Sequence, residues 1–334
     1  MYGLFYLWAM RLINKIKEVT ISFPKLLLDT FNKFNDDNAM KLGASLSYYT
    51  LFSLPPLLII IISLGGIFFG EEAIKGQIVS QIEGLVGESS ALFIQNTLSN
   101  IEISQKGNIA ALIGITVLVF SASTVFAEIQ SSINYIWGLR TKPNKGIIRF
   151  VMNRLMSFSM IVTLGFILLV SLMLNSFLKI MSNKLLTFLN IDQLNLVFLI
   201  NSSIVFLVIC SLFTIIFKTL PDAKIRFIDS FVGAIFTSIL FMLGKVLIGY
   251  YLENTEVGSF YGAAASVALL MTWVYYSAII LYFGAEFTII YTNRFGRKII
   301  PNDYSLLIVK KEIELSPKEV MDKNSIEKTE TNCD

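Results

Sequence analysis

Lys245 and Glu286 are ionisable side chains set inside two apolar runs, Phe231–Tyr251 and Ser266–Tyr291. Each run is long enough to cross the ~30 Å hydrocarbon core of a bilayer as a helix. A charge inside such a span costs at least ~2.5–3.5 kcal/mol on insertion scales, so it faces a partner, a cavity or the membrane surface. A buried ammonium can receive an anionic group, and a buried carboxylate can hold a proton or close an ion pair. At 1.5 Å per residue, Lys245 lies ~21 Å from the end of its span that adjoins a basic loop, and Glu286 ~8 Å from the equivalent end of its own. That offset, roughly a dozen ångströms, is too long for a direct salt bridge between straight helices. Lys245 then either snorkels to the outer interface near Glu253 and Glu256 or lines a cavity open to that side. Glu286 either pairs with Arg149, Arg154, Lys224 or Arg226 or serves as a proton- or substrate-coupling carboxylate.

Tyrosines add a second polar theme. Tyr275, Tyr276 and Tyr282, with Thr272 and Ser277, give the last run a semi-polar face that either lines a cavity or hydrogen-bonds between helices. Tyr48 and Tyr49 hold a similar place in the first run, just ahead of Pro55 and Pro56. The two prolines remove two backbone donors in mid-span and are expected to kink it.

Other chemistries are excluded by what the chain lacks. It has no histidine, which removes imidazole bases, Ser–His–Asp and Cys–His nucleophiles and histidine metal sites. Its two cysteines, Cys210 and Cys333, cannot build a metal site or a disulfide framework. No Gly-x-x-x-x-Gly-Lys loop is present, so no nucleotide motor is expected. The basic cluster Arg140, Lys142, Lys145, Arg149 and Arg154 is read as a topology signal and a contact for anionic lipids, not as a nucleic-acid surface. The expectation is a non-enzymatic protein with no cofactor and no metal.

The elements that carry these residues follow from hydropathy. Of 334 residues 54% are hydrophobic and 15% charged, and mean hydropathy is +0.68. The apolar residues fall in continuous runs, not in the ~10-residue alternation of barrel strands. The fold class is therefore all-α: a polytopic bundle of six transmembrane helices, near 42–69, 109–127, 155–178, 196–217, 231–251 and 266–291. Residues 1–38 read as interfacial amphipathic helices, 39–293 as the membrane domain and 294–334 as a charged tail. Within the first part, Leu27, Leu28, Phe31 and Phe34 mark the apolar face of a helix over 24–35, and Asp36, Asp37 and Asn38 offer an N-cap for the first span. The second span is expected to run on as a helix to the Gly138 region. Ile74, Ile78, Ile82 and Leu85, then Leu92, Gln95 and Leu98, mark an amphipathic hairpin lying on one membrane face. Weak order is expected beyond Pro301, with one short helix near 306–315. Of the 27 Lys and Arg, 22 fall on one side of this threading and four on the other, with Lys245 inside a span. The positive-inside rule then places both termini in the cytoplasm.

Several blocks together resemble the YihY/BrkB family of bacterial inner-membrane proteins, once labelled ribonuclease BN. They are Ala44–Tyr49 leading to Ser53–Leu54–Pro55–Pro56–Leu57, Ile133–Trp137 with the basic turn after it, Leu220–Pro221, Tyr261–Gly262 and Gly284–Ala285–Glu286. The resemblance covers roughly residues 30–295, and it departs at the double proline, where a Phe-Pro-type pair is expected. It implies six spans in the bacterial cytoplasmic membrane, no agreed biochemical activity and, for some members, a link to envelope integrity or lipid export. The ribonuclease label finds no catalytic set in this chain. The resulting expectation is a protein that moves or handles a lipid or amphipathic envelope component. Spans one, five and six would form its path, lined by Lys245, Glu286, Tyr48, Tyr49, Pro55, Pro56, Tyr275, Tyr276 and Tyr282, with Tyr261 in the outer segment. The alternative is a scaffold that recruits partners through its helices and tail outside the membrane.

Overall fold

A computed structural model describes residues 22–308 except 87, 101–107, 143–146, 148–149, 153, 164, 168–192 and 255–263. The N-terminal helix expected over residues 1–19, Tyr261 and the tail beyond 308 lie outside the described residues. Helix α1 covers 22–36, α2 Ala39–Phe69, α3 Glu71–Val86, α4 Glu88–Asn100 and α5 Asn108–Ile136. Helix α6 covers Phe150–Ile167, α7 Gln193–Thr219, α8 Phe227–Asn254 and α9 Ala265–Phe295. Six of them, α2 and α5–α9, are long and apolar enough to cross a membrane. The protein is an all-α polytopic membrane bundle.

α9 is the hub, packing against α2, α5 and α8 and against the α3–α4 hairpin. Small residues make that possible, because helices in lipid gain most from close backbone approach. Three threonine hydroxyls at the α8–α9 contact and beyond it on α9 are satisfied within their own helices: Thr237 donates to the Gly233 carbonyl, Thr288 to Gly284 and Thr292 to Thr288. α2 stays helical through Pro55 and Pro56. The carbonyls of Leu51 and Phe52 lose their usual donors there, while Ser53 on the same turn bonds Thr124 of α5 at 2.5 Å.

Three expectations are corrected in detail. On α1 the buried face is Leu26, Thr30 and Phe34, whereas Leu28 and Phe31 point outward. This face docks on α8 and α9, with Leu26 against Phe287 and Tyr291 and Phe34 edge-on to Phe283. Asn38 precedes α2 in the left-handed region, φ 51°, and makes no side-chain cap; its amide turns back to the Asp36 carbonyl at 3.4 Å. The apolar line of the α3–α4 hairpin is taken up by the bundle, because Ile74, Ile78, Ile94 and Leu98 belong to the main core. On α4 the inward line is Ala91, Ile94 and Leu98, leaving Leu92 exposed.

At the end of the bundle that holds α1, here called basal, four short strands clasp the chain. β1 (Leu139–Thr141) pairs antiparallel with β4 (Ser305–Leu307), and β2 (Ala223–Lys224) with β3 (Ile300–Pro301). The expected helix over 306–315 is thus replaced, up to Leu307, by a strand, and residues 302–308 are built into the fold. Gly138 is required at the turn into β1. Its φ is +66°, and a Cβ there would sit 2.9 Å from the Ile308 carbonyl oxygen, whose residue donates its N–H to the Gly138 carbonyl at 2.7 Å.

Candidate functional site

Lys245 and Glu286 are held by a helix pair whose register is fixed by three notches. Gly233 of α8 receives Thr288, Gly284 of α9 receives Thr237, and Gly244 of α8 receives the Tyr276 ring edge and hydroxyl. A Cβ at any of these glycines would overlap the facing side chain. The register sets Lys245 opposite Tyr275–Tyr276 and Glu286 opposite Ile235, about 15 Å apart along the helices at 1.5 Å per residue. The structure does not bring the two charges together.

Glu286 is fully buried, one turn from the fully buried Tyr282 on the same face of α9. Alongside it, the Trp137 indole N–H donates to the Ala285 carbonyl at 3.1 Å, joining the end of α5 to α9. Of the basic residues considered for Glu286, Arg149 lies outside the described residues, Lys224 and Arg226 are exposed, and Arg154 is engaged on α5. Trp137→Phe removes a buried hydrogen bond and part of a ring. It should lower stability in detergent by about 2 kcal/mol, read by thermal unfolding.

Lys245 is half-buried on α8, in line with Ser238 and Phe241 on the side that packs against the bundle. Two further donors flank that level from α9. The Tyr276 hydroxyl sits over Gly244 and the Trp273 ring meets Phe241 edge-on at 6.2 Å, yet neither the hydroxyl nor the indole N–H has a hydrogen-bond partner among the described residues. Lys245 itself forms no ion pair among the described residues. A cation and two buried donors without acceptors suit an anionic group.

The other tyrosines point to different neighbours. Tyr275 lies against Gly43 of α2, and Tyr282 is directed at α5, beside Ser132 and toward Glu128. Tyr276 takes α8, so the three rings fill three separate helix contacts. Thr272 and Ser277 donate to their own helix, at 2.8 and 2.9 Å. Tyr48, Tyr49 and Phe52 form an exposed aromatic cluster on the outside of α2.

Three charged residues gain a role that residue type alone did not indicate. Asp222 is 1% exposed and accepts from Gln130 and Asn134 side chains at 2.9 Å each, while its own N–H donates to Asn134 at 2.8 Å. Its carbonyl takes the Asn302 N–H and the Ser305 hydroxyl, so one residue ties α5, the α7–α8 connection and the β3–β4 segment together. Glu128 accepts the Ser45 hydroxyl at 2.6 Å across the α2–α5 seam. Arg154 donates from Nη1 to the Phe120 carbonyl at 3.3 Å and to the Ser123 hydroxyl, stacking 3.7 Å from the Phe120 centroid. The one signal for all three is a charge within or beside an apolar segment.

Six apolar spans, one of them the hub helix, with charges embedded among them, define a multi-pass integral membrane protein. The chain belongs to the family described as Virulence factor BrkB, which matches residues 30–303. It is similar to a UPF0761 membrane protein of Saccharophagus degradans, 25% identical over 272 residues, which is 81% of this chain and 60% of that protein. A UPF0761 membrane protein of Pseudomonas aeruginosa is 25% identical over 259 residues, 76% of this chain and 59% of the relative. One from Aeromonas salmonicida is 26% identical over 263 residues, 77% and 86% of the two chains. The chain thus spans about three-fifths of the length of the first two relatives. No solved structure matches it.

Proposed function

We propose that this protein handles a lipid or amphipathic envelope component in the bacterial cytoplasmic membrane, without enzymatic chemistry, a cofactor or a nucleotide motor. The observation that carries the reading is the donor set Lys245, Tyr276 and Trp273, placed where helices meet in an apolar setting and suited to an anionic headgroup. Both termini lie in the cytoplasm on this reading, because the basic segments flank that side and contact anionic lipids there.

The test is movement of a fluorescent phospholipid between leaflets of vesicles containing the purified chain. Exchange should exceed that of protein-free vesicles, and Lys245→Met should cut the excess about tenfold, the scale of one lost charge-assisted contact. Exchange no faster than in protein-free vesicles overturns the reading. A scaffold would behave differently: it would leave exchange unchanged and lose its cellular role when the tail is removed. That truncation belongs after Ile308, because a cut after Arg297 also deletes β3 and β4 and opens the basal clasp.

A further inference from the structure

The outward face of α5 carries Val117, Phe120, Ser131 and Tyr135 as exposed residues at helical spacing. α2 borders this face on one side through the Ser45–Glu128 and Ser53–Thr124 bonds. α6 borders it on the other through Arg154 on Phe120 and Ser123. The result is a groove open to the bilayer with a half-buried cation on one wall and a half-buried anion on the other. Its flanks are apolar, including Phe120, Phe150 and Val151, all at least half exposed.

The two charges do not neutralise each other. Arg154 has no carboxylate within ion-pair distance among the described residues. Its hydrogen bonds to the described residues use Nη1 alone, which leaves the rest of the guanidinium fork with donors to give. Glu128 has Oε1 engaged by Ser45, with Tyr282 on its bundle side, and its second oxygen accepts no hydrogen bond among the described residues. Ser123 and Glu128 are five residues apart on α5, about 7.5 Å in height. An exposed surface pair would be unremarkable, but within apolar spans each charge needs a counter-group.

We propose that this groove binds the headgroup of a zwitterionic phospholipid bearing a primary amine, its phosphate on Arg154 and its ammonium on Glu128. A planar guanidinium matches two phosphate oxygens in parallel, which a point charge does not. The amine supplies N–H donors to the carboxylate, with N to O of ~2.8 Å, and the short linker between phosphate and amine covers the remaining height. The acyl chains run past Val117 and Phe120. This site lies on α2, α5 and α6, away from Lys245, and it gives the lipid-handling reading a second, headgroup-selective contact on which that reading does not depend.

The experiment is lipid retention by the purified full chain, measured by native mass spectrometry after equilibration with phosphatidylethanolamine, phosphatidylcholine or phosphatidylglycerol. Retention should favour phosphatidylethanolamine about tenfold. Arg154→Met should lower retention of all three about tenfold, with Arg154→Lys in between. Glu128→Gln should leave phosphatidylglycerol unchanged and abolish the preference for the amine. Equal retention of the three lipids, or a preference that survives Glu128→Gln, overturns the proposal. Should Arg154→Met fail to fold, as judged by its unfolding temperature, Glu128→Gln and Arg154→Lys still decide it. Lipid selectivity with no leaflet exchange would keep the groove and reject transport; exchange without selectivity would do the reverse.

Discussion

Gly284→Val should destabilise the bundle by about 3 kcal/mol, and adding Thr237→Gly should return most of that loss. Any Cβ at Gly284 meets the Thr237 side chain, which is itself fully buried and β-branched, so neither helix can yield by a rotamer change. Valine and threonine have nearly the same shape, so the double substitution moves one side chain's volume from α8 to α9 across the same contact. Thr237→Gly alone should cost about 2 kcal/mol through lost packing and helix entropy. The two single effects therefore should not add, and the coupling should be about 4 kcal/mol with the sign of rescue, leaving the double variant about 1 kcal/mol below the wild type. Reversible unfolding in mixed micelles measures all three variants. Additive losses would mean that α8 and α9 are not in this register.

Asp222→Ala should cost about 4 kcal/mol, the largest loss from any single deletion at the basal end. Both carboxylate oxygens accept buried amide hydrogens, so truncation leaves the Gln130 and Asn134 donors facing an apolar void. Asp222→Asn should cost only about 1 kcal/mol, because Gln130 can reverse its amide. Its Oε1 has no hydrogen-bond partner among the described residues of the wild type and would then accept from the new amide. Unfolding by heat or denaturant distinguishes the two substitutions. An equally severe Asp222→Asn would show that the charge, not the acceptor geometry, holds the clasp.

The six spans were legible because hydropathy and the bilayer's thickness are both properties of contiguous sequence. The offset between Lys245 and Glu286 was legible for a related reason, since a fixed rise per residue turns chain position into depth. What failed was the assignment of faces. Counting apolar residues alone chose Leu28 and Phe31 on α1, but Thr30 behaves as an interior residue once its hydroxyl bonds the Leu26 carbonyl at 2.7 Å. On α4, Ala91 is too small to register in an apolar count, although it is buried. Asp222, Glu128 and Arg154 share another cause: their partners lie 31 to 92 positions away, on other helices. Strands of two or three residues, one ending in Pro301, carry no periodicity at all, so the basal clasp had no local signature.

That clasp sets the order of events during biogenesis. β1 and β2 leave the ribosome long before their partners, and those partners, residues 300–307, emerge only after the sixth span. Until then the connections after α5 and α7 have nothing to zip onto, and Asp222 lacks the Asn302 and Ser305 donors. A nascent chain halted before Ile300 should therefore be inserted but unlocked, and quality-control proteases that sample the basal side would meet it in its most vulnerable form.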